Sequence, residues 1–120
     1  VTNLAKQRIE QSTTINGIKV VTMQGVRLPE VVKNVAFKVR ALSPENTAFI
    51  AATTDAANKP LLSVMLTDDV VASGHNASTM VRNAAKAIKG GGGGQPGFAQ
   101  AGGKDAEAIA QAFQMLMDQI

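Results

Sequence analysis

The first block of patterned apolar residues is 18–24, IKVVTMQ, where β-branched side chains crowd together and predict a strand. Asn16-Gly17 before it is a turn signal. After the strand the period changes. Leu28, Val32, Val35, Val39 and Leu42 recur at helical spacing, Pro29 suits a first helical turn, and Ser43-Pro44 ends the element. Residues 47–54 (TAFIAATT) and 61–67 (LLSVMLT) then predict two strands flanking a polar turn at 55–59, which together make a hairpin.

Helical spacing returns at Ala77, Val81, Ala84, Ala85 and Ile88, with Asn76 as the cap of a helix running to about Lys89. A last helix from about Asp105 buries Ile109, Ala112, Phe113, Leu116 and Ile120. The order is β-α-β-β-α-(Gly loop)-α. It implies an α/β (α+β) fold, a small mixed β-sheet with helices packed on it. Residues 1–11 carry only a thin apolar stripe and read as the frayed end of an upstream helical segment. The expected division is 1–14 for that segment and 15–120 for the domain, and a chain starting at Val1 is expected to be a fragment.

Composition narrows this little. A chain of 120 residues buries roughly two-thirds of its unfolded surface, enough for a core. Without cysteine there is no disulfide scaffold, thiolate metal site or cysteine nucleophile, and a reducing, cytoplasmic location is expected. No apolar run reaches the roughly 20 residues of a membrane span, so no membrane partner is expected. The net charge of +3 is mild, but its distribution is not. Between Asp69 and Asp105 there is no acidic residue, while Arg82, Lys86, Lys89 and Lys104 all lie there. The first three are spaced i, i+4, i+7 and share a helical stripe that leads to an unusual segment.

That segment is GGGGGQPGFAQAGG, which holds eight of the eleven glycines. Five in a row sacrifice packing and cost backbone entropy on ordering. A flexible linker is the bland reading, but Pro96, Phe98 and Ala99 interrupt the run with groups suited to fixed packing. The functional reading is a loop whose consecutive N–H groups form an anion-binding concavity, with Gly102-Gly103 leading into a helix N-terminus as a second phosphate seat. The candidate nucleic-acid contacts are Arg82, Lys86, Lys89, Gly91, Gly92, Gly93, Gly94, Gln95, Phe98, Gln100 and Lys104.

Catalytic chemistry is poorly supplied. A nucleotide-hydrolase phosphate loop needs Lys then Ser or Thr after its last glycine, and Gln95-Pro96 stand there instead. A dinucleotide loop follows a strand, whereas this run follows a helix. His75 has no partners at metal-ligand spacing, and Asp68-Asp69 reads as a capping pair. Without Trp or Tyr, base stacking has one candidate ring, Phe98. Recognition by shape and backbone is the expected mode, and neither a catalytic residue nor a metal site is assigned.

Residues 90–105, GGGGGQPGFAQAGGKD, resemble the signature of the DHH-associated domain at the C-terminus of alanyl-tRNA synthetases, and the strand-helix-hairpin-helix order before them matches as well. Gln95 stands where that family usually has Arg, Gly97 where it has Asp, and Phe98 where Leu or Met is common. The resemblance implies a non-catalytic domain that holds the outer corner of alanine-specific tRNA, linking aminoacylation to editing. ATP, magnesium and zinc would belong to other domains of the same synthetase, which would be this domain's neighbours. The fragment is expected to be monomeric, with dimerisation left to the upstream helical segment. Two alternatives stay open, the substrate-binding domain of a DHH-family phosphoesterase and a self-association domain. Related phosphoesterases carry a His after their glycines, and none follows Gly94.

Overall fold

The computed structural model describes Val1 to Ile120. Its spine is a six-stranded mixed sheet in the order β1-β2-β3-β4-β6-β5. β1 (Thr13–Ile15) and β2 (Ile18–Val26) form a hairpin through Asn16 and Gly17, whose φ values of 51° and 83° are what a two-residue turn of this hand requires. β2 then crosses through α2 (Pro29–Leu42) to lie parallel to β3 (Thr47–Thr54). β4 (Pro60–Leu66) returns antiparallel. The turn between them is tied by Asp55, whose carboxylate accepts the N–H groups of Ala57 and Lys59.

Helices cover both faces of the sheet, so the central strands are buried on both sides and lose the polar alternation of a half-exposed strand. On one face Val20, Ile50, Leu62, Val64 and Leu66 pack with α3 (Asp68–Ala72), α4 (Ala77–Ala85) and α5 (Ile109–Met117). On the other, Val21, Met23, Phe49, Ala51 and Met65 meet Val32, Val35, Ala36 and Val39 of α2. α1 (Thr2–Glu10) joins this second core through Ala5, which is fully buried, so the N-terminal stretch is docked and not frayed. The ends of the expected stripe, Leu28 at the N-cap of α2 and Leu42 at its last turn, are exposed at 58% and 41%.

The fold class is the mixed α/β arrangement the sequence implies, with one correction. The glycine run is not a loop between two helices. Gly91–Gln95 is strand β5, and it pairs antiparallel with β6 (Phe98–Gly102), which pairs in turn with β4. Propensity rates polyglycine a poor strand former, and tertiary context overrides it here: β6 offers a ladder and α4 a surface to lie under.

Candidate nucleic-acid interface

The end of α4 sets up the hairpin. Regular helix stops at Ala85, and tighter bonds from Ala87, Ile88 and Lys89 to residues three earlier wind the chain down. Gly90 N–H then reaches the Ala85 carbonyl at 3.0 Å while Lys89 N–H reaches that of Lys86 at 3.3 Å. This pair of bonds is a Schellman termination, whose left-handed position normally holds glycine. Here Lys89 holds it, at φ 54°. At the other end Asn76 caps α4 as expected, its side chain accepting the Thr79 N–H at 3.2 Å.

The glycines make close approach possible. A Cβ on Gly90 would overlap the carbonyl of Gly102, and one on Gly92 would overlap that of Gln100. At Gly94, φ is 156° and a Cβ would lie 2.6 Å from the Phe98 carbonyl oxygen. Gly93 faces α4, where a Cβ would come within 3.2 Å of Ser78 Oγ. Gly91 alone faces open space. β5 thus follows a path against β6 and under α4 that side chains would obstruct.

An extended strand does not make the concavity expected from consecutive amides, because successive N–H groups point to opposite edges. The phase is fixed by Leu66, whose N–H donates to the Gly97 carbonyl at 2.9 Å. Alternation then turns Ala99 and Ala101 towards β4, and Phe98, Gln100 and Gly102 towards β5. Their partners Gln95, Gly93 and Gly91 face inwards, which leaves Gly92 and Gly94 to present N–H and C=O groups at the free edge, roughly 7 Å apart. The second expected phosphate seat is also altered. Asp105 caps the helical segment after β6 by accepting the Glu107 N–H, so that N-terminus already holds a carboxylate.

The basic stripe lies along this edge. A side chain on Gly93 would meet Ser78, and Arg82 on α4 and Lys86 at its C-cap follow Ser78 at intervals of four, both exposed. Lys89 has left the helix and sits where β5 begins. Lys104 N–H donates to the Ile88 carbonyl at 2.8 Å, which brings its backbone beside Lys89. Arg82 and Lys86 thus lie on the helical stripe that starts beside β5, Lys89 and Lys104 lie where β5 begins, and all four are exposed, as is Gln95 at the far end.

Two other candidates point away. Gln100 donates to Ser63 Oγ at 3.0 Å on the face covered by α2, and Phe98 packs on that same face. Nothing in the residue pattern singles out Arg27 and Lys59, which share a cleft of about 200 Å³ with Asp55, Gly102 and Gly103. Their separation of 32 positions conceals it. His75 lies outside the region, with Nδ1 3.3 Å from Ser73 Oγ. Asp69 ties α3 to the start of β3: the Thr67 hydroxyl and, after it, the N–H groups of Asn46 and Val70 outweigh desolvation and hold its carboxyl below the usual value.

The DHHA1 domain family matches residues 16–120, almost the whole of this sheet and its helices. The chain belongs to that family. This DHHA1 domain is 49% identical over 104 residues to alanine–tRNA ligase of Bacteroides fragilis, covering 87% of the chain and 12% of the relative. It is 42% identical over 116 residues to the Bacteroides thetaiotaomicron enzyme, covering 97% and 13%. The chain thus spans about an eighth of the length of these relatives. Among solved structures, the C-Ala domain of Aquifex aeolicus alanyl-tRNA synthetase shares its fold, with a TM-score of 0.70 and 23% identity over 88% of this chain and 96% of that one. A pGpG-specific phosphodiesterase from Vibrio cholerae shares the fold more distantly, at a TM-score of 0.54 and 12% identity over 98% of this chain and 39% of that one.

Proposed function

We propose that this DHHA1 domain is the C-terminal domain of an alanine–tRNA ligase and that it holds tRNA, without catalysing a step itself, along the β5 edge and the basic stripe of α4. One observation carries the reading: β5 is an edge strand with no side chain from Gly91 to Gly94 to keep an RNA strand away, and four exposed cations stand on the helix and turns that adjoin it. Lys89 adds weight. A lysine at a left-handed helix terminus, next to five glycines free to take that position, accepts strain that a purely structural sequence would avoid. The domain would grip the outer corner of the tRNA, while ATP, magnesium and zinc would serve other parts of the parent chain.

The expected contact is to phosphates, which position an RNA without reading its sequence. If all four cations meet phosphates, log K falls against log salt with a slope of roughly −3 to −4, a loss of about a hundredfold between 50 and 200 mM. Gel shifts of the chain with tRNA, a minihelix lacking the corner and single-stranded RNA test this directly. Tighter, salt-sensitive binding to tRNA is expected. Equal binding to tRNA and minihelix contradicts the corner assignment, and a flat salt response removes the electrostatic mechanism.

A further inference from the structure

Two of the four phenylalanines meet on the sheet face opposite α4. Phe37 of α2 and Phe98 of β6 place their ring centroids 4.9 Å apart with 43° between planes. Phe98 is half-buried in the second core, whereas Phe37 is 41% exposed. One exposed ring on a surface is ordinary. Its surroundings are less so. Lys33 Nζ lies 6.0 Å from the Phe37 centroid and Arg40 Cζ lies 5.8 Å from it.

Arg40 is held there by the hairpin turn. Its Nη2 donates to the Gly97 carbonyl at 2.8 Å, and its buried Nε has no acceptor. The missing side chain at Gly97 admits the guanidinium, since a Cβ would come within 3.3 Å of Nη2. The same turn touches the other face of the sheet, where the Pro96 carbonyl accepts the Ala77 N–H of α4 at 2.9 Å. The hairpin tip is therefore clasped between the start of α4 and the end of α2, and the basic stripe and the aromatic pair flank it from opposite sides.

We infer that Phe37, backed by Phe98 and flanked by Lys33 and Arg40, is a stacking seat for an unpaired nucleobase of the RNA whose phosphates follow the α4 stripe. The inference rests on the tRNA-binding reading and adds a base contact to it. The chemistry selects a nucleotide over an apolar protein side chain. A nucleotide carries a flat π face and an anion together, and this site offers an aromatic ring 41% exposed to solvent with two cations within 6.0 Å of its centroid. Base–aromatic stacking tolerates any base, so the seat adds affinity without sequence preference.

The test is the affinity of the chain for tRNA across a salt series, for wild type, Phe37→Leu and Phe37→Trp, with circular dichroism to check the fold. Leucine keeps an apolar contact on Phe98 and removes the π face. Phe37→Leu is expected to lose roughly tenfold in affinity at every salt concentration with the slope unchanged, because stacking releases no counterions, and Phe37→Trp to bind at least as well as wild type. Wild-type affinity in Phe37→Leu, with tRNA bound and a normal slope, overturns the seat and leaves the tRNA reading standing. A fully paired RNA duplex that loses as much affinity on Phe37→Leu also overturns it. Failure of the wild type to bind either tRNA or single-stranded RNA overturns both.

Discussion

The β3–β4 ladder and the β5–β6 hairpin belong to one sheet and are built on opposite rules. In β3 and β4 nearly every side chain is buried, and Phe49, Ile50, Leu62, Val64 and Met65 supply the packing on both faces. In β5 the run GGGGQ supplies none, and four of its five residues are exposed. The centre is specified by what its side chains fill. The edge is specified by what missing side chains permit: backbone lying close to backbone, with α4 close above. A sheet needs the first for stability and can spend the second on function, since an edge strand without side chains is the one place where a ligand meets main chain directly.

The contrast can be broken from either side. Leu62→Ala, in the centre, opens a cavity and should cost about 3 kcal/mol in a denaturant melt. Gly90→Ala, at the edge, drives a methyl into the Gly102 carbonyl and should cost about 2 kcal/mol by the opposite mechanism, overpacking. Gly91→Ala, which meets nothing within 4 Å, is the control and should leave stability close to wild type. A loss at Gly91 equal to that at Gly90 would contradict close approach as the reason for the glycines, since unfolded-chain entropy alone favours alanine.

Lys89→Gly sharpens the same comparison by separating fold from binding. Relief of the left-handed lysine should raise stability by about 1 kcal/mol, while the salt slope of tRNA binding becomes shallower by about one unit. A variant more stable but unchanged in slope would remove Lys89 from the RNA contacts. The smallest effect lies far from the hairpin. Asp69 has its folded pKa lowered, chiefly by the Thr67 hydroxyl, so its contribution is present above the unfolded carboxylate value of about 4 and is lost as pH falls through the folded value. Asp69→Asn should flatten the acid limb of a stability profile measured between pH 7 and pH 2.

Much of the centre was legible in the residues because its signals are local. Crowded β-branched residues predicted β2, helical spacing predicted α2 and α4, and Asn76 announced its cap. The edge was not legible, because nothing in GGGGGQPG distinguishes a loop from a strand: both accept glycine, and only the partner decides. Pro96-Gly97 between Gln95 and Phe98 was the available clue to a tight hairpin. The basic stripe was visible as spacing on one helix, but its last member, Lys89, proved to lie beyond the helix in the turn. Phe37 escaped notice because its contact with Phe98 depends on the pairing of β6 with β4, although its neighbour Arg40 stands only three residues along the same helix.

The central claim is that the bare β5 edge and its neighbouring cations are where RNA is held. Backbone amide resonances of the chain, followed one by one as tRNA is added, report this residue by residue. Shifts should concentrate on Arg82 to Gln95 and on Lys104, with Gly92 and Gly94 among the largest. Shifts confined to α5 or to the β1 edge, with the glycine amides unmoved at saturation, would contradict it.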